Sequence, residues 1–115
     1  DIVARRNMKQ EVNGVHNSDE KGNPAGGFTE ANGIAIRWQN GPLGRGEDRK
    51  APNGAFVEGV IAAAVNRLEY YQASKFKCQE NADAIAHLGL ALERLESRTK
   101  LREKQQVEGT HAVHA

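Results

Sequence analysis

FVEGVIAAAVNRLEYYQ (56–72) and FKCQENADAIAHLGLALERLESRTKLR (76–102) decide the fold. In the first stretch Phe56, Val57, Val60, Ile61, Ala64, Val65, Leu68 and Tyr71 recur at helical spacings, an amphipathic stripe over 55–72. In the second, Ile85, Leu88, Leu92 and Leu95 alternate three and four apart, and the row continues back to Asn81 and forward to Thr99 and Arg102. This predicts a second helix that starts between Phe76 and Glu80 and ends near Lys104. Ala73-Ser74-Lys75 is a short connection, so the two helices are expected as antiparallel neighbours. A helix of about 25 residues spans about 37 Å, whereas a compact domain of this length is only about 30 Å wide. Its far end is therefore expected to project and to need a partner subunit.

Upstream, IAIRWQ (34–39) sets Ile34, Ile36 and Trp38 against Ala35, Arg37 and Gln39, the period of a half-buried strand that Asn40-Gly41-Pro42 ends. One strand needs partners. They are sought in the glycine-rich arm before it, in segment 43–53, or in another subunit. Residues 1–33 carry Asn13-Gly14, Asn23-Pro24, Gly26-Gly27 and Asn32-Gly33, and read as a flexible or irregular glycine-rich arm, with a short helix over 3–12 as the alternative. The expected fold class is α+β, a small N-terminal antiparallel β region followed by a long antiparallel helical hairpin. Its parts are the arm 1–33, a small β region 34–54, the hairpin 55–106 and a C-terminal tail 107–115.

The 115 residues suit one domain, and nine of the twelve glycines lie at or before Gly54, outside the helical half. Sixteen basic against fifteen acidic residues leave a net charge of +1, which argues against a broad footprint for a DNA or RNA polymer. A single Cys78 forms no internal disulfide, and no apolar run is long enough to span a bilayer. With no visible signal peptide, a small soluble intracellular domain is expected, although the chain begins at Asp1 rather than methionine.

Little here points to catalysis. Cys78 reads as a small structural residue, and His16, His87, His111 and His114 lack a supporting cysteine or carboxylate cluster, so neither a metal nor a cofactor is expected. Gly41-Pro42-Leu43-Gly44-Arg45-Gly46 is neither a P-loop nor a dinucleotide fingerprint. The informative residues lie on the helical seam. Arg98 and Arg102 share a face with Leu95, Arg94 extends their row, Asn81 replaces an apolar residue, and Tyr71 stands beside the turn. Polar groups on such a seam need partners. Salt bridges from Arg98 to Glu93 or Glu96, of its own or a neighbouring chain, are one solution. The other is a pocket in which arginine forks hold phosphates, an aromatic stacks on a base and an amide reads polar edges.

Taken together, Arg67-Leu68-Glu69, Tyr71-Gln72, Phe76, Cys78, Glu80-Asn81-Ala82, Leu92, Leu95, Arg98-Thr99, Arg102 and Val107-Glu108-Gly109-Thr110-His111 form a pattern over about half the chain. It resembles the bacteriophage Thoeris anti-defence sponge family, whose helical hairpin is shared with the anti-CBASS cyclic-nucleotide sponge. IAIRWQNGP resembles the strand before the hairpin in the Thoeris branch. The resemblance implies a non-enzymatic protein in the cytoplasm of the infected bacterial host. It would sequester a cyclic ADP-ribose isomer made by TIR-domain proteins, and also CBASS cyclic trinucleotides, as a homo-oligomer, a hexamer built from dimers. It also implies ligand binding by Tyr71, Asn81, Arg98 and Arg102, with adenine against Tyr71 or Trp38 and the trinucleotide near Gly109, Thr110 and His111. The sequence departs from the family pattern at Lys104-Gln105-Gln106, and residues 1–33 have no family counterpart. A structural oligomerisation protein and a small nucleotide phosphodiesterase are the competing readings.

Overall fold

The computed structural model describes residues 11–105 and 108–112. Strands β1 (Asn13–Ser18), β2 (Pro24–Ala31) and β3 (Ile34–Asn40) form an antiparallel sheet in the order β1-β2-β3. A single 3-10 turn, Gly46–Asp48, interrupts the linker to helices α1 (Val57–Gln72) and α2 (Gln79–Lys104). The α+β expectation and both helices stand, with ends within two residues of those the periodicity predicts.

The reading of 1–33 as an arm needs correction over 13–31, which supplies the two strands that β3 requires. Asn32-Gly33 is a two-residue hairpin turn between the Ala31–Ile34 pair, with Gly33 at φ 77°. Asp19 shapes the other turn: its carboxylate accepts the Lys21 and Asn23 amides at 2.9 Å each in an exposed loop. The sheet's one-sided packing explains why β2 hid in the sequence. Its half-buried positions are Ala25, Gly26, Gly27, Thr29 and Ala31, too small and too irregular to register as an apolar alternation. The alternative helix over 3–12 lies outside the described residues, apart from Glu11 and Val12, which are not helical.

The hairpin packs along the predicted seam. Asn81, Ile85, Leu88, Leu92, Leu95 and Thr99 are all half-buried, and Arg102 is buried. Its turn is closed by backbone and side-chain bonds: the Ala73 amide donates to Glu69 O at 3.1 Å, and the Cys78 amide to Gln72 Oε1 at 3.0 Å. Cys78 is thus the residue before α2, half-buried in a turn. Glu80 in the first turn of α2 and Arg102 and Lys104 in the last suit the helix dipole.

With 26 residues against 16, α2 outruns α1 by about 15 Å at 1.5 Å per residue. The end of α2 was expected to need another subunit for cover. Part of that cover comes instead from the chain itself, as the Glu108 amide donates to Arg102 O at 3.3 Å. Even so, no apolar side chain among the described residues is fully buried, and the molecule extends over 48 × 29 × 25 Å.

Sheet and hairpin are coupled through a strap at residues 53–55. Ala55 donates its amide to Arg37 O at 2.7 Å and accepts the Gln39 amide at 3.0 Å, making a parallel bridge beside Trp38. Asn53 locks the strap: its Oδ1 accepts the Asn40 amide at 2.8 Å, and its own amide donates to Gln39 Oε1 at 2.8 Å. Gly54 passes so close to β3 that a Cβ there would sit 2.6 Å from the Trp38 carbonyl. Gly54→Ala is expected to lift the strap, lowering stability by about 1–3 kcal/mol and shifting the emission of the single Trp38. Thermal melting and fluorescence check this, and an unchanged melting temperature would count against the coupling.

Candidate functional site

Two adjoining hollows, of about 270 and 380 Å³, lie where the linker, the end of α2 and residues 108–112 meet. Both are lined by Arg98, Arg102 and Thr110; Trp38 and His111 line the larger, and Arg49 and Gly109 the smaller. Trp38, Arg98, Arg102, Gly109, Thr110 and His111 are therefore brought to one cleft. Trp38 is held by its indole Nε1, which donates to Thr29 Oγ1 at 2.7 Å. This fixes the ring from the sheet side and leaves an aromatic wall at the cleft.

The two arginines differ in state. Arg102 is 9% exposed, and its Nη2 donates to Thr110 O at 3.2 Å, so it braces the returning chain. Arg98, four residues earlier, is exposed and makes no hydrogen bond or ion pair among the described residues. Within the chain neither Glu93 nor Glu96 pairs with Arg98, and Glu96 pairs with Lys100 at 3.3 Å instead. Arg98 thus presents an available guanidinium fork beside Trp38.

A clasp that sequence spacing could not reveal shapes the cleft wall. Arg49 Nη1 donates to Glu108 Oε1 at 2.6 Å and to Gly44 O at 3.2 Å, while Arg45 Nη1 donates to Glu108 O at 3.0 Å. The Gly44 amide completes it by donating to Gly109 O at 2.8 Å. Gly109, at φ 77°, has no room for a Cβ, which would run into the Gly44 carbonyl. Glu108 and Arg49 stand 59 residues apart in sequence, so only the fold pairs them.

Tyr71 and Asn81 lie elsewhere, at the hairpin turn. Asn81 is half-buried in the first turn of α2, where its Nδ2 makes a long 3.5 Å contact to Phe76 O. Tyr71 accepts a hydrogen bond at Oη from Arg67 Nε at 3.1 Å. Seventeen residues of helix separate Asn81 from Arg98, a distance of about 26 Å. One chain therefore carries two groups of the expected site residues, one at each end of α2.

Among the described residues, no group of three or more His, Cys, Asp or Glu side chains could hold a metal ion, and no helix is long and apolar enough to cross a membrane. The hydrogen bond from Arg49 holds the Glu108 carboxyl below its ordinary 4.5, with smaller contributions from Arg45 and Arg102. A carboxylate with a lowered pKa stabilises the fold above its unfolded value and loses that contribution as pH falls through the folded one. Glu108→Gln is accordingly expected to lower the melting temperature at pH 7 and to flatten its decline below pH 4.5. Melting curves of both proteins between pH 7 and pH 3 check this; parallel declines would contradict it.

The hairpin that carries these groups is shared with known proteins. Residues 30–100 match the family model described as Acb2/Tad1, hairpin domain, which takes in β3, α1 and most of α2. Trp38, Tyr71, Asn81 and Arg98 fall inside that match, whereas Arg102 and the Gly109-Thr110-His111 segment follow it. The chain is also 43% identical over 76 residues to "Thoeris anti-defense 1" of Bacillus phage SBSphiJ7, covering 66% of this chain and 51% of that protein. It thus spans about half the length of the curated relative. With the family model matching more than half its length, the chain belongs to the Acb2/Tad1 hairpin-domain family.

Proposed function

We propose that the protein is an anti-defence sponge, which binds a cyclic ADP-ribose isomer made by TIR-domain proteins and withholds it, uncleaved, from the effector it would activate. The observation that carries this reading is the open Arg98 fork beside Trp38 on a hairpin of this family. Such a fork suits bidentate phosphate recognition, and such a ring offers a face for stacking. Sequestration breaks no bond, so the site requires no nucleophile or general base.

The separation of the two groups determines how a pocket is built. A single nucleotide does not bridge about 26 Å of helix. A second copy running antiparallel along α2 brings its Tyr71 and Asn81 to the first copy's Arg98 and Arg102. In this arrangement the arginines meet the two pyrophosphate charges, Tyr71 stacks on adenine, and Asn81 reads a polar edge of the ligand. The half-buried apolar seam and the absence of any fully buried apolar side chain among the described residues favour such an association. Dimers of this kind, assembled into a hexamer, would place several Gly109-Thr110-His111 segments at a separate site for CBASS cyclic trinucleotides. The site of action is the cytoplasm of the infected host.

The test is capture with recovery. Excess protein is incubated with a cyclic ADP-ribose isomer, filtered, denatured, and the nucleotide identified. Retention followed by release of intact ligand is expected. A cleaved product would make the protein a phosphodiesterase, and no retention would leave a structural oligomerisation protein. Arg98→Ala and Arg102→Ala should each weaken capture at least tenfold. Arg98→Ala should leave helix content unchanged, whereas Arg102→Ala should also lower the melting temperature, because Arg102 braces Thr110.

A further inference from the structure

Arg67 stands one helical turn before Tyr71 on α1 and is clamped by two rings. Its guanidinium carbon lies 4.7 Å from the Tyr70 ring centroid and 4.9 Å from that of Tyr71. The rings themselves meet at 5.8 Å with an interplanar angle of 58°, so the cation sits in the angle between them. Its Nε is committed to Tyr71 Oη at 3.1 Å. The remaining two nitrogens, Nη1 and Nη2, have no hydrogen-bond or ion-pair partner among the described residues.

That arrangement differs from an ordinary solvated surface arginine. A free arginine side chain loses rotamer freedom when it captures an anion, and this one is already held in place by two rings and a hydrogen bond. The terminal edge of the fork, the edge that meets phosphate in a bidentate fashion, is left open. The Tyr71 hydroxyl gains as well. It accepts from a cation, and its own O–H stays available as a donor.

We propose that Arg67 is a further ligand-contacting residue, a third arginine that binds a phosphate of the nucleotide stacked on Tyr71. This rests on the sponge reading above, and it adds to that reading a cation at the turn end of the hairpin, on the chain that supplies the aromatic. The pocket then holds the nucleotide's phosphates from both sides, with Arg98 and Arg102 of one copy facing Arg67 of the other. Such a pocket selects a ligand whose base and phosphates lie close together, as they do in a ring-closed ADP-ribose. A neutral nucleoside would satisfy the ring and leave the open forks of Arg67 and Arg98 unanswered.

The test uses the full chain and a cyclic ADP-ribose isomer in equilibrium titrations at several salt concentrations. Arg67→Ala is expected to weaken capture about tenfold or more, the scale of one charge-assisted hydrogen bond, and to reduce the salt dependence of binding. Arg67→Lys should restore the salt dependence and only part of the affinity, since an ammonium does not hold Oη and a phosphate in one plane. Tyr71→Phe, which removes the hydroxyl but keeps the ring, should lose less than Arg67→Ala. Wild-type capture by Arg67→Ala overturns the proposal and leaves the sponge reading standing. Weakened capture with an unchanged salt dependence also overturns it, since Arg67 would then only orient the ring. No capture by the wild-type chain overturns both.

Discussion

The contact of residues 53–55 with the edge of β3 is what makes one structure of a sheet and a helical hairpin. Three strands with a face of alanine, glycine and threonine cannot hold to two helices by apolar burial alone. Backbone pairing at Ala55, the Asn53 side chain and the absence of a Cβ at Gly54 supply the register instead. Because α1 begins two residues later, the same contact aims the hairpin. Trp38 on the strand side and the last turns of α2 on the helix side come to line one cleft as a result.

How much of this was legible in the sequence follows from what each element uses to hold itself. The hairpin relies on side chains at helical spacing, so its seam from Asn81 to Arg102 could be read residue by residue. Strand β3 relies on Ile36 and Trp38 and was legible for the same reason. Strands β1 and β2 are held by backbone pairing around glycine and asparagine, and those residues signal turns when read singly. Gly27 shows why the signal misleads. Facing Trp38 across the ladder at φ 129°, it has Val15 O where a Cβ would be, so it is in the strand because nothing larger fits. The clasp of Arg49 on Glu108 was invisible for another reason, being a contact between segments 59 residues apart.

Charge at the cleft is distributed by function. Arg102 is buried and engaged with Thr110, and Glu108 offsets part of the positive field of Arg45 and Arg49. Arg98 is left exposed and without a hydrogen bond or ion pair among the described residues. A chain whose overall charge is +1 can in this way concentrate positive charge at one cleft without carrying a broad basic surface. The sequence singled out Arg98 and Arg102 by their place on the seam, but their separate tasks depend on the returning segment 108–110, which spacing within α2 does not encode.

The distance between the two ends of α2 has a thermodynamic consequence. If a pocket draws its aromatic from one chain and its arginines from another, the ligand is also a cross-link. Binding and assembly then obey one linked equilibrium, in which ligand promotes association and association raises affinity by the same factor. Dilution would remove pockets altogether and not merely empty them, giving capture a threshold in protein concentration. If the protein acts as the proposed stoichiometric sponge, sensitivity to the signal would then be set by how fast it accumulates.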